Sequence, residues 1–93
     1  MSDTLLTTEQ VTGELGGVPD WERVEDSIVR TVTLADFAAA MAFVNRVAAL
    51  AEAANHHPDI TIRWNAVTLT LATHSAGGLT AKDFALAHRI DDL

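Results

Sequence analysis

Residues 58–74 have the sequence PDITIRWNAVTLTLATH, and this stretch decides the fold. Apolar residues stand at every second position on both sides of Trp64-Asn65, which is typical of strands with one buried face. These alternating positions are Ile60, Ile62, Val67, Leu69 and Leu71. The stretch therefore predicts two strands joined by a short turn, with His74 at the end of the second strand.

A second β-rich segment lies upstream, over residues 21–34. From Ile28 onward it has the same period of two, and the polar run Glu25-Asp26-Ser27 is typical of a turn. We therefore expect another hairpin, whose second strand ends near Leu34.

Three segments have the composition of helices, and each follows a residue that can cap a helix. The predicted helices cover 9–15, 37–55 and a last segment that begins after Thr80. Their predicted caps are Thr7 or Thr8, Thr33-x-x-Asp36 and Thr80-x-x-Asp83. The order helix, two strands, helix, two strands, helix predicts an α+β fold: a four-stranded antiparallel sheet with three helices on one face.

Length and composition limit the possible functions. Ninety-three residues make a single domain over 1–93, and the net charge of −7 disfavours binding to nucleic acid or to an anionic membrane surface. No cysteine is present, which excludes disulfides and thiolate chemistry. We find no stretch approaching about 20 apolar residues and no signal peptide in the N-terminal Met-Ser-Asp-Thr, so we expect a cytoplasmic protein without a membrane partner.

The long helix over 37–55 has apolar residues on two sides. One side carries Phe37, Met41, Val44 and Ala48, and the other carries Phe43, Val47, Leu50 and Ala54. A single sheet needs only one of these faces, so the second predicts a contact between subunits. The alternative is that the alanines are simply good helix formers exposed to water.

Histidines are the candidates for chemistry. His56 and His57 follow the long helix and His74 follows the last alternation, so paired strands can bring all three to one pocket. Imidazole exchanges protons near neutral pH, which suits acid–base catalysis on a small molecule. A His-three zinc site is disfavoured because adjacent residues point to opposite sides of an extended chain, and purely structural histidines are the remaining alternative.

Several neighbouring residues have more than one interpretation. Glu52, one turn before His56, can hold that ring, and Asp83 is either a helix cap or a polar group of the pocket. Trp21 and Trp64 favour packing, although an aromatic plane beside the histidines would suit a flat heterocycle.

The ordered motifs resemble those of the pterin-4a-carbinolamine dehydratase family. They are Glu52-Ala-Ala-Asn-His56-His57-Pro58, Trp64, Thr73-His74, Gly77-Gly78-Leu79-Thr80 and Asp83. The position after that aspartate is often Trp in the family and is Phe84 here, which keeps an aromatic residue.

This resemblance implies the same α+β subunit, assembled as a homodimer or homotetramer, and dehydration of 4a-hydroxytetrahydropterin to quinonoid dihydropterin, which recycles the pterin after aromatic amino acid hydroxylation. It implies His56, His57 and His74 as the catalytic set, with Asp83, Pro58 and Trp64 in substrate binding, and it implies no metal and no organic cofactor. The alternative is a non-catalytic protein-binding or dimerisation module, because relatives of this fold include a dimerisation partner of a transcription factor and assembly factors.

Overall fold

The computed structural model describes residues 4–93, so Met1–Asp3 of the N-terminal segment considered above lie outside it. The elements are α1 (Thr8–Leu15), β1 (Glu22–Val24), β2 (Ser27–Thr33), α2 (Phe37–Ala54), β3 (Asp59–Arg63), β4 (Ala66–Leu71), a short 3-10 helix (His74–Ala76) and α3 (Ala81–Asp91). The predicted element order and the α+β class are confirmed.

The four strands form one antiparallel sheet in the order β1-β2-β4-β3. Both predicted hairpins are present, with tight turns at Glu25-Asp26 and Trp64-Asn65. After the first hairpin the chain crosses through α2, and β4 then pairs with β2 at the centre of the sheet. Strands β1 and β3 are therefore the two edges.

The sheet has one buried and one open face, as the period-two patterns predict. Its most buried inward residues are Ile28, Val67, Leu69 and Leu71. A row of threonines, Thr31, Thr68 and Thr61, crosses the open face, and the Oγ1 atoms of Thr31 and Thr68 are 3.0 Å apart. All three helices thus share the other face, where the core lies.

Trp21 ties the C-terminal end of α3 to the core. Its ring is 4% exposed and its indole N–H donates to Asp91 Oδ1 at 2.8 Å. The same oxygen accepts from the Arg30 guanidinium of β2 at 2.5 Å. The packing role expected for Trp21 is confirmed.

The structure decides which side of α2 is inner. Ala40, Phe43, Val47 and Ala51 are buried against the core, whereas on the other apolar side Phe37 is 51% exposed and Val44 packs only partly against the core. The expectation that no segment approaches membrane-spanning length needs correction, because α2 passes that test by length and composition alone. Such a result is a weak indication, since core helices also pass it.

Two local predictions were wrong. Thr33 does not form a capping box with Asp36; the N-cap of α2 is Asp36 itself, whose carboxylate accepts the Ala39 N–H at 2.8 Å. The last strand ends at Leu71, which is opposite Ile28 of β2, and the chain then folds back so that Thr73 N–H donates to Gly78 O at 2.9 Å. His74 therefore lies in the 3-10 helix and not in β4.

Candidate active site

The site lies at the end of the sheet where α2 ends, β3 begins and the chain leaves β4. Asn55 closes α2 in the left-handed conformation, with φ 48° and ψ 44°, which asparagine adopts more readily than most residues. This turn lets His56 N–H donate back to Ala51 O at 3.1 Å. The two adjacent histidines then leave the helix in different directions before Pro58 starts the edge strand.

His56 points inward to Asp83. Its Nε2 lies 2.6 Å from Asp83 Oδ1, and the side chains are 11% and 0% exposed, respectively. The other oxygen of Asp83 accepts the Thr80 N–H and the Thr73 hydroxyl, both at 2.9 Å. Asp83 is therefore the helix cap that was expected, and it does not line the cleft itself but contacts it through His56.

His57 points outward to Glu52. Its Nε2 contacts the Glu52 carboxylate. The expectation that Glu52 holds His56 was therefore wrong, because this carboxylate holds His57 instead. The left-handed turn at Asn55 is the reason, because it carries His56 away from the helical position that Glu52 could reach. The His57 and Glu52 side chains are 55% and 76% exposed, so the pair adds little stability.

The three histidines meet at one cleft, as predicted. Its volume is about 270 Å³. Besides His56, His57 and His74, its lining includes Thr73, Ser75 and Lys82. His74 is exposed at the start of the 3-10 helix, and it reaches the cleft because the fold-back between Thr73 and Gly78 closes this loop over the end of the sheet.

A second cleft of about 400 Å³ adjoins the first and shares Thr73 and His74 with it. The carboxylates of Glu25, Asp26 and Asp59 contribute to its walls. Its floor includes Thr70, which the strand register places on the open face of the sheet. The histidine cleft therefore opens toward the side of the sheet that carries no helices.

This arrangement suits proton transfer. One imidazole is held by a buried carboxylate, a second by an exposed carboxylate, and the third, His74, lines the same cleft. Imidazoles placed in this way can donate one proton and accept another without moving a helix or strand. Among residues 4–93, no group of three or more His, Asp or Glu side chains is arranged to hold a metal ion.

Comparison with known protein families agrees with the motifs. The family model described as pterin 4 alpha carbinolamine dehydratase matches residues 4–93. The chain belongs to this family. A relative from Nocardia farcinica is 56% identical over 93 residues, covering 100% of this chain and 98% of its own. A relative from Chloroflexus aurantiacus is 57% identical over 88 residues, covering 95% of each chain. Both are provisionally named as pterin-4-alpha-carbinolamine dehydratases.

Two solved structures share the fold of this dehydratase-family chain. The crystal structure of a transcriptional coactivator/pterin dehydratase from Brucella melitensis has a TM-score of 0.92 at 32% identity, covering 96% of this chain and 97% of its own. A pterin dehydratase-like protein identified as a RuBisCO assembly factor in the alpha-carboxysome has a TM-score of 0.63 at 25% identity, covering 77% of this chain and 83% of its own. Relatives of this fold are thus named for catalysis and for assembly.

Two residues expected to bind the substrate, Trp64 and Pro58, do not line the histidine cleft. Trp64 is 65% exposed and follows the last residue of β3, whose five residues at about 3.3 Å each span roughly 16 Å from the end of the strand beside the histidines. It is separated from the cleft by the length of an edge strand, and its exposure shows that the packing role favoured for it was wrong. Pro58 lies directly after His57 and is half-buried, but it does not line the cleft.

Sequence reasoning missed Lys82 and Ser75 and named Thr73 only as part of a motif. Lys82 faces the histidines because Thr80 caps α3 beside them, and the residue before the buried Asp83 then lies at the cleft. The capping pair Thr80-x-x-Asp83 was the signal that could have found it. His88 is exposed on α3 and outside both clefts, as expected for a surface residue.

Proposed function

We propose that this protein dehydrates 4a-hydroxytetrahydropterins to quinonoid dihydropterins. The observation that carries the proposal is the convergence of His56, His57 and His74 on one cleft in a member of the dehydratase family. A protein that served only as a binding module would have no need of three imidazoles in one pocket.

The reaction needs only proton transfers. The bond between C4a and its hydroxyl oxygen breaks, one imidazolium gives the leaving oxygen a proton to form water, and a neutral imidazole takes a proton from the pterin ring. Nothing is oxidised or reduced overall, so His56, His57 and His74 supply the chemistry between them. The adjoining cleft offers space for the rest of the flat heterocycle.

Turnover of a 4a-hydroxytetrahydropterin generated in situ tests the proposal. We expect the purified protein to accelerate dehydration over the spontaneous reaction, and we expect activity to survive treatment with a chelator. Because imidazoles act as both acid and base, activity should vary between about pH 5 and 8. No acceleration, loss of activity on chelation, or a flat pH profile with chemistry rate-limiting would contradict it.

We place this activity in the recycling of the pterin cofactor of aromatic amino acid hydroxylases, in the cytoplasm. The family membership supports this role. Coupled turnover of a pterin-dependent hydroxylase with catalytic amounts of cofactor and a dihydropterin reductase should speed up when the protein is added, and should not when His74 is replaced.

A second candidate function is that of a non-catalytic assembly or dimerisation module. The exposed apolar side of α2 favours it, as does the fold shared with the protein identified as a RuBisCO assembly factor. Binding of a reduced pterin separates the two candidates. Saturable binding that is lost in His56→Ala and His74→Ala supports the enzyme, and absence of binding supports the module.

A further inference from the structure

In the buried hydrogen-bond network behind His56, the donor and the acceptor of each bond can be assigned. Asp83 can only accept, so the Thr73 hydroxyl gives its single hydrogen to Asp83 Oδ2 at 2.9 Å. The Thr73 oxygen lies 2.8 Å from the Thr80 oxygen, and Thr73 has no hydrogen left for it. Thr80 must therefore donate to Thr73, while its own oxygen accepts the Lys82 N–H at 3.3 Å.

This assignment fixes which nitrogen of His56 carries a proton. Asp83 Oδ2 is already occupied by donors from Thr73 and Thr80, which leaves Oδ1 for His56 Nε2 at 2.6 Å. A carboxylate has no hydrogen to donate, so His56 Nε2 is the donor in this contact and carries the proton. The nitrogen of His56 that remains for a ligand in the cleft is then Nδ1.

We propose that Thr73 is a positioning residue that acts through Asp83 to hold His56 in the Nε2–H form with Nδ1 available to the substrate. The inference rests on the proposed function only for its kinetic consequence. Thr73 is 3% exposed and Thr80 is 2% exposed, so the hydroxyls that orient the carboxylate are buried. Without the Thr73 hydroxyl, Asp83 Oδ2 keeps only the backbone N–H of Thr80, and the carboxylate can rotate.

The tautomer can be measured without any substrate. Long-range ¹H–¹⁵N correlation spectra of the protein labelled at its histidine rings distinguish Nε2–H from Nδ1–H, at a pH where the rings are neutral. The His56 signals are assigned by elimination with the variants His57→Gln, His74→Gln and His88→Gln. We expect wild-type His56 in the Nε2–H form and a mixture of tautomers in Thr73→Val. A wild-type ring in the Nδ1–H form overturns the inference even if Thr73→Val does not fold.

Kinetics supply the second readout. Loss of a group that orients a catalytic histidine through a carboxylate should lower kcat by about tenfold or more while KM changes little, and Thr73→Ser should restore kcat. The matched control is Thr68→Val, which removes a hydroxyl from the Thr31–Thr68 pair on the open face of the sheet and should leave both constants unchanged.

The possible results are distinct. If Thr73→Val lowers kcat but the His56 tautomer stays as in wild type, or if Thr68→Val has the same effect, Thr73 is only structural and the inference is overturned. If wild type shows the Nε2–H form and Thr73→Val shifts it, but the wild-type protein does not turn over pterin, the inference stands and the proposed function fails.

Discussion

At the scale of single residues, Asp83 connects stability with chemistry. One carboxylate oxygen caps α3 through the Thr80 N–H, and the other holds His56. The three donors to this carboxylate offset the cost of burying its charge, because an unpaired buried charge is destabilising. The fold and the candidate site therefore depend on the same side chain.

Replacing Asp83 with Asn should destabilise the protein. The Asp83 carboxylate accepts hydrogen bonds at two oxygens, whereas an asparagine amide has only one. The amide NH₂ group would therefore face a donor, which is the His56 N–H, the Thr80 N–H or the Thr73 hydroxyl. We expect a loss of about 1–3 kcal/mol, which in a domain of this size lowers Tm by at least about 4 °C. Calorimetry measures this, with Asp92→Asn on the exposed end of α3 as the control. Equal Tm values for the two variants would contradict the assignment.

His74 offers a cleaner test of catalysis, because its exposed ring supports no part of the core. His74→Ala should keep the wild-type Tm and lose at least about tenfold in turnover, since acid–base assistance is typically worth roughly 10²–10⁴-fold. His88→Ala, an exposed histidine outside both clefts, is the control. Equal turnover in the two variants would remove His74 from the catalytic set.

At the scale of elements, the strands and helices followed from sequence because their signals are local. Period-two alternation needs only a buried and an open face, and caps such as Thr80-x-x-Asp83 act within one turn. The pairing of carboxylates with histidines did not follow. It depends on the left-handed Asn55, a conformation that asparagine after a helix permits but does not require. The position of Trp64 in the motif likewise could not show that this residue lies at the end of β3 away from the histidines.

The start of α2 provides a test of this local reasoning. Asp36→Ala removes the acceptor for the Ala39 N–H and should cost about 1 kcal/mol, within a range of roughly 0.5–2 kcal/mol. Thr33 is the other residue of the predicted capping box, which does not form. Thr33→Ala should therefore change the free energy of unfolding much less. Urea unfolding of both variants measures the difference, and a larger loss in Thr33→Ala would restore the original prediction.

At the scale of the whole molecule, we predict a homo-oligomer whose contact includes the outer side of α2. Phe37 is 51% exposed there, and burying such apolar surface yields about 25 cal/mol per Å² before association costs. Ala48 is exposed on α2, and Leu50 packs against the core. Ala48→Glu should therefore give a folded species of lower mass in sedimentation, and Leu50→Glu should unfold the subunit.

The wild-type protein is the reference for that experiment. Sedimentation of wild type as a monomer at micromolar concentration would refute the prediction. An oligomer that keeps its mass in Ala48→Glu would move the contact away from this part of α2.

The contrast between the two tryptophans makes the protein its own optical reporter. The chain has no tyrosine, so near-ultraviolet fluorescence comes almost entirely from a buried indole bonded to Asp91 and an indole in water. Trp64→Phe should leave a single blue-shifted emission that acrylamide quenches poorly. Any loosening of α3 from β2 would shift that emission to the red, so undocking of the last helix can be followed in real time without an added label.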